Sequence, residues 1–564
     1  MTGSLSEAGS AAGGAISRTP PVAPAVNNAI YSNDYIIDEG PVNGGSARIY
    51  ATYPDTYNPL LTKNTYTSSM FSLVYEGLAG LGPGLKAEYR LAERWAPSVD
   101  GLVWHIVLRQ GLKWHNGRPL TARDVEETVD RIREYGDACP YAGLISNFES
   151  VTAVSDTEIR LALYKENAYT PYCLIFPVIP SYIVLDALDG ESGSANLSAG
   201  LVGSGPYRFN SFDGGRRLTL TIADTWRERA RYGAADADIL NLDGSAVSGA
   251  EPPYIDSLTF IFYDPAVDAL TQFRAENVNL FFSRNLNYNR YKSSSELEIK
   301  QYSEREFLFV SMNCGKGLTA AKSVRRALVR MINRKRLISG ALNGRGIAAE
   351  YPVQPESFIY SAGFSNTPFD PQAARSILEN AGFRLDDGVY YGDTGGGWRS
   401  LELPLLVNEQ DAEKCALADG LADMYGEYGV KIVVVRCPGE EIEKKIKAGD
   451  YEAALVGYRT LPFPDMTGLY SVPWQADSAA VNPAHYQNGD ADRLTRELFA
   501  IYDEEDRQTA FSELISILQD DAPYIGICFR ASSLVYGEDM RGKIYPNAMN
   551  PLNMFENWYF TDYR

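Results

Sequence analysis

Two hydrophobic periods take turns along almost the whole of this chain, and no other feature limits its fold as strongly. Val103-Trp-His-Ile-Val-Leu108 carries bulky residues on both faces, as a well-covered strand does. Thr121-Ala-Arg-Asp124 then reads as a capping box, and Val125, Val129 and Ile132 follow at helical spacing. Ile159, Leu161 and Leu163 alternate with Glu158, Arg160 and Ala162, the period of a half-buried strand. Strand signals return at Leu218–Ile222, Ser257–Tyr263 and Glu306–Met312, and later at Val430–Val435 and Ala453–Gly457. Between them lie a helix opened by Asp264-Pro265 and carrying Val267, Leu270 and Phe273, and a helix from about Ala321 to Leu342. Others run from Asp370-Pro371 to a stop at Gly382, and near Asp411–Tyr425, Glu440–Ala448 and Glu505–Asp520. Strand exchanged for helix throughout predicts an α/β fold with mixed sheets.

A chain of 564 residues is too long for one core, and a size of about 150 residues per domain predicts two to four. Its net charge of −20 repels phosphate backbones, so nucleic acid is not an expected partner. No apolar run reaches the length of about 18 residues that a membrane-spanning helix needs. The first 26 residues are mostly Gly, Ala, Ser and Pro, the composition of a flexible linker, which we extend over residues 1–43. They lack the basic and apolar regions of a signal peptide, so a leader segment is expected to be absent here and the linker to be a spacer for membrane tethering. The six cysteines form no C-x-x-C; free buried thiols are the expectation, with a Cys139–Cys173 pair left open for an oxidising compartment.

Catalytic signatures are missing. The three histidines, His105, His115 and His485, form no H-E-x-x-H and no i, i+4 pair. There is no G-x-S-x-G elbow and no phosphate-binding G-x-x-x-x-G-K-[ST] loop. Gly203-Ser-Gly-Pro206 lacks the lysine of such a loop and reads as a tight turn. No local pattern singles out a pair of catalytic carboxylates. The expectation is a protein that is not an enzyme, with no catalytic residue, metal ligand or cofactor.

Several segments in order resemble one family. Leu91-Ala-Glu-Arg-Trp95 and the stretch Asp100-Gly-Leu-Val-Trp-His-Ile-Val-Leu-Arg-Gln-Gly-Leu-Lys-Trp-His-Asn-Gly-Arg-Pro-Leu-Thr-Ala-Arg-Asp-Val125 are similar to the signature of the peptide/nickel-type (family 5) extracytoplasmic solute-binding proteins of ABC importers. Tyr75-Glu-Gly-Leu78, Gly203-Ser-Gly-Pro-Tyr207 and Val324-Arg-Arg-Ala-Leu-Val-Arg-Met-Ile-Asn-Arg334 extend the likeness. The resemblance implies a two-lobed periplasmic-binding-protein-like fold of type II. Lobe I would be residues 44–82, 203–302 and 525–564, with an extra domain at 83–202 inserted in it. Lobe II would be 303–524, with hinge crossings near Tyr302 and Asp521 and ligand caught between the lobes by closure. It further implies a monomeric protein outside the cytoplasm, a tethered lipoprotein or a periplasmic one, that hands its cargo to a membrane permease.

The same resemblance points to binding residues. Thr52, Tyr53 and Tyr57 correspond to the family's first strand and loop, and Tyr458, Arg459, Asp465 and Trp474 lie in an aromatic loop of the second lobe. Asn313 ends the strand entering that lobe, either to meet ligand or to cap the turn at Gly315-Lys-Gly317. Peptide binders of the family often carry an aspartate that pairs with the ligand's α-amine, but this chain has Leu461 at about that place. Either Asp465 takes over or the ligand has no such amine, and Arg459 is suited to a ligand carboxylate. The expected cargo is an oligopeptide or dipeptide. A nickel chelate, an opine-like compound or an oligosaccharide is the alternative within the class, and a secreted hydrolase or a nutrient-sensing receptor subunit the alternative outside it.

Overall fold

The computed structural model describes residues 40–185, 197, 200–213, 215–233, 251–361, 366–393, 397–471 and 482–561. One mixed sheet, eleven-stranded among the described residues, dominates them. Its order runs Lys431–Cys437, Glu402–Asn408, Ala453–Arg459, Glu298–Met312, Tyr524–Tyr536, Leu280–Ser283, Ser46–Thr52, Ser257–Tyr263, Arg217–Ile222, Tyr207–Asp213. The short strand Gly346–Ala348 pairs with Tyr524–Tyr536 off this path. The two long strands Glu298–Met312 and Tyr524–Tyr536 run antiparallel through the middle and are shared by both ends of the sheet. Their pairing slips between Ser303 and Phe307 and again between Leu308 and Phe309. Such bulges bend a ladder and strengthen its twist.

Beyond the first slip, from Phe307 onward, the strand Glu298–Met312 is buried on both faces. Leu308, Val310 and Met312 pack with Val324, Leu405 and Leu417, whereas Phe307 and Phe309 pack with Phe511, Leu514 and Tyr524. At the other end Ile49 and Ala51 join Phe71, Leu218 and Phe260 in a third core. A separate antiparallel sheet, in the order Ala92–Pro97, Val103–Leu108, Glu158–Leu163, Phe148–Ala153, carries the helix Ala122–Tyr135 on one face.

The Val103–Leu108 strand departs from its expected covering. Trp104, Ile106 and Leu108 are buried but His105 is exposed, so only one face of this sheet is sealed. The helix expected over 321–342 is two, Lys322–Met331 and Arg334–Leu342, because Ile332 turns extended and the Asn333 side chain accepts from Arg336 N to cap the second. The helix expected to open at Asp264-Pro265 starts later, at Ala269, where the Asp268 carboxylate accepts from Thr271 N at 2.9 Å. A three-stranded sheet at 384–400 was not expected from sequence. Gly203 and Gly205 press against the Val74 backbone so closely that a Cβ on Gly203 would collide with the Val74 carbonyl, which explains the glycines of that turn. All six cysteines are free, and no helix among the described residues is long and apolar enough to cross a membrane.

Candidate functional site

A cavity of about 1220 Å³ opens where the two ends of the large sheet meet, beside the slipped pairing. Its floor is built by Asn64. The Asn64 side chain caps the helix Thr65–Val74 by accepting from Tyr66 N at 2.9 Å. The same side chain donates to Thr52 Oγ1 at 2.9 Å and to the Tyr53 carbonyl at 3.0 Å, tying strand end to helix start. Tyr66 stacks on Phe282 at 4.1 Å and meets Tyr50 edge-on at 5.6 Å. These phenols are already used: Tyr50 donates to the Val267 carbonyl, Tyr66 to the Phe282 carbonyl, and Tyr302 is hydrogen-bonded to Ser532. Burial pushes all three phenols above their usual pKa, so they stay neutral and offer ring surface rather than free hydroxyls.

The opposite wall is the charged run Glu304-Arg305-Glu306 together with Gly457 and Arg459. Most of its charges are matched. Glu304 pairs with Arg284 and accepts from Ser532 Oγ at 2.7 Å. Glu306 lies between Lys414 at 3.1 Å and Arg530 at 3.0 Å, and Arg530 also reaches Asp411 and Glu413. The Arg305 Nε donates to the Thr460 carbonyl at 2.7 Å, while the Arg305 carbonyl accepts from Thr460 N at 2.8 Å. Burial, and then the positive charge of Arg459, lower the Arg305 guanidinium to about 10. The Arg459 guanidinium makes no hydrogen bond or ion pair with any described residue.

Two of the residues expected to bind, Thr52 and Arg459, line this cavity. The other described ones lie elsewhere. Tyr53 is 44% exposed and leans on Phe262 outside the wall, and Tyr57 meets Phe212 edge-on at 6.0 Å. Tyr458 alternates away from Arg459 into the Phe307 core, and its hydroxyl donates to the Asp465 carbonyl at 3.3 Å. The Asp465 carboxylate accepts from Thr467 N at 2.9 Å and from the Thr467 hydroxyl. Asn313 sits past Met312, at the end of the strand away from Glu306, and its Oδ1 accepts from Gly315 N at 2.9 Å to cap the turn. Trp474 lies outside the described residues. Sequence reasoning missed Arg305, Tyr50 and Tyr66. For Arg305 the available signal was three consecutive charged residues just ahead of the apolar run Phe307–Val310. Among the described residues no group of three or more His, Cys, Asp and Glu side chains is placed to hold a metal ion.

Comparison with known proteins agrees with this architecture. The family model for bacterial extracellular solute-binding proteins, family 5 Middle, matches residues 86–478. The oligopeptide-binding protein AppA of Bacillus subtilis is 22% identical over 519 residues, covering 90% of this chain and 90% of AppA. The nickel-binding periplasmic protein of Escherichia coli is 25% identical over 509 residues, covering 86% of this chain and 90% of that protein. The crystal structure of the ABC transporter substrate-binding protein CtaP of Listeria monocytogenes superposes with a TM-score of 0.66 at 22% identity, over 92% of this chain and 100% of CtaP. With the family match spanning most of the mixed-sheet α/β body, this chain belongs to the bacterial extracellular solute-binding proteins of family 5, which bind solutes rather than transform them.

Proposed function

We propose that this protein captures a short peptide in the cavity between the ends of the large sheet and delivers it to the permease of an ABC importer. The observation that carries the reading is the position of the 1220 Å³ cavity, beside the bulges in the only two strands shared by both ends of the sheet among the described residues. A cavity of that size exceeds the few hundred to about 1,000 Å³ of ordinary small-molecule sites and suits a ligand of several residues. Oligopeptide binding by AppA and the ABC-transporter role of CtaP support the same reading. Lobe I then comprises residues 44–82, 203–302 and the chain beyond Arg530, with 83–202 inserted in it, and the stretch between forms lobe II. Residues 524–529 travel with lobe II, since they pair with Phe307–Ser311 there. The bulges act as the hinge, and ligand held by Thr52 on one side and Arg459 on the other favours the closed form. The protein works outside the cytoplasmic membrane, as a tethered lipoprotein or in the periplasm.

A nickel chelate is the second reading, favoured by the likeness to the nickel-binding periplasmic protein. With no metal-holding cluster among the described residues, such a complex would be gripped through its organic part. Native mass spectrometry of the purified protein, then denaturation to release what it carries, separates the readings. Excess masses fitting short peptides support the first. A tightly held Ni(II)–histidine complex, with no response to mixed di- to pentapeptides, would replace it with the second.

A further inference from the structure

We infer that the outer face of the three-stranded sheet at 384–400 is a second binding surface, one that takes a neutral glycan chain across Trp398 and Tyr391. None of its residues lines the cavity between the ends of the large sheet, so the surface works apart from the cleft.

The sheet is a meander of Arg384–Asp386, Val389–Asp393 and Trp398–Ser400. Its first turn is a two-residue loop with positive φ at both positions, supplied by Asp387 at 45° and Gly388 at 78°. Register then sorts the side chains. Arg384 stands opposite Tyr391 and Trp398 opposite Asp393, so these four share one face with Asp386. The other face turns inward. Tyr390 is buried in the same core as Phe383, and a Cβ on Gly392 would collide with the Phe383 ring. The outer face is thus fixed from behind, yet Trp398 is 63% exposed and Tyr391 39% exposed.

The chemistry of that face specifies its occupant. Trp398 and Tyr391 hold diagonal positions on adjoining strands, about 7–8 Å apart at the backbone. The Arg384 guanidinium lies 6.0 Å from the Trp398 ring centre. Neither Arg384 nor Asp386 makes a hydrogen bond or ion pair with any described residue, and the Tyr391 hydroxyl makes none either. Open ring surface therefore lies beside free donors and a free carboxylate. A pyranose matches both, since its C–H face stacks on a ring while its hydroxyls bond a carboxylate and a guanidinium. Area and charge exclude the other polymers. Three strands about 4.8 Å apart, with up to five residues at about 3.4 Å each, make a face of about 250 Å². A stable protein partner needs about 800 Å², whereas a few sugar units fit. Asp386 and Asp393 set against Arg384 repel an anionic polymer or an anionic lipid surface. Such a surface holds an extracellular protein on glycan while its cleft stays free for cargo.

Affinity electrophoresis of the full chain, in native gels containing glycol chitin or barley β-glucan, tests this. At least one polymer should retard the parent chain in proportion to its concentration. Losing the indole in Trp398→Ala should raise the dissociation constant about tenfold, and Trp398→Phe should recover part of it. Thermal melting confirms that each variant folds. That pattern supports the inference. Equal retardation of the parent chain and Trp398→Ala puts the sugar elsewhere, as in the cleft, and overturns it. A parent chain that neither polymer retards overturns it as well. Sedimentation velocity checks for a second copy as the occupant. A parent dimer that Trp398→Ala dissociates, with no retardation by glycan, makes this face a contact between copies and rejects the glycan.

Discussion

Asn313 shows how a residue of binding type can be wholly engaged in structure. It is 2% exposed, its Nδ2 donates to the Gly449 and Tyr451 carbonyls at 3.1 and 3.0 Å, and its Oδ1 accepts from Gly315 N. Asn313→Ala removes the partner of three backbone groups, of which the Tyr451 carbonyl is buried, and we expect a loss of about 2 kcal/mol in urea unfolding with unchanged ligand affinity of the folded fraction. A weakened affinity at full folding would return Asn313 to the cleft. His115 gives the fold a pH dependence. Its Nδ1 accepts from Gly203 N and its Nε2 bonds the Gly205 carbonyl, and burial lowers its pKa from 6.5 to about 4. The unfolded chain therefore binds a proton below pH 6.5 that the folded chain refuses until about pH 4. Unfolding takes up protons in that window, so stability falls as pH drops through it, by about 3 kcal/mol for this group. Melting temperatures recorded across that range should show the fall, and His115→Gln should flatten it.

At the scale of elements, the helix Ala122–Tyr135 illustrates what local chemistry can specify. The Asp124 carboxylate accepts from Thr121 N at 2.8 Å through one oxygen and from Ser181 N at 2.9 Å through the other, so one side chain both starts the helix and pins a distant segment. Asp124→Ala should cost about 2–3 kcal/mol, more than an ordinary cap, and speed amide exchange at both Ala122–Tyr135 and Ser181. Faster exchange confined to the helix would mean the Ser181 contact contributes nothing. This helix, and strands such as Glu158–Leu163, were legible in sequence because their signals lie within a few residues of one another. The break at Asn333 was not, since the apolar stripe of Val324, Leu328 and Met331 continues into Leu337 and hides it. Thr52 and Arg459, which line the cavity, were reached through the family resemblance and not through a local pattern. Arg305 was not, because its exposure to the cavity depends on a bulge against Tyr524–Tyr536, a partner more than two hundred residues away in sequence.

Across the whole molecule, contacts outside the cavity lining join segments of the two proposed lobes. Tyr169, in the segment beside the smaller sheet, stacks on Phe463 with rings 5.1 Å apart, and Arg507 lies 4.8 Å over the same Tyr169 ring. Ala168 N donates to the Phe499 carbonyl at 2.7 Å, and Lys86 pairs with Glu504 at 2.9 Å. If the two lobes close as a hinge, these contacts form on closure and count toward the free energy of the closed state. Exposed pairs such as Lys86–Glu504 contribute little, whereas the stacked and buried rings contribute about 1 kcal/mol or more. Phe463→Ala should then leave the cavity intact yet shift the population toward the open form. Apparent affinity depends on the fraction of competent molecules, so a loss of about 1.4 kcal/mol in closure weakens binding tenfold, mainly through faster dissociation. Small-angle scattering of the ligand-free variant should show a larger radius of gyration than the parent protein, and saturating ligand should restore the parent value. Unchanged affinity together with an unchanged radius would mean that Tyr169 and Phe463 stay together in every state, and that the motion admitting ligand lies elsewhere.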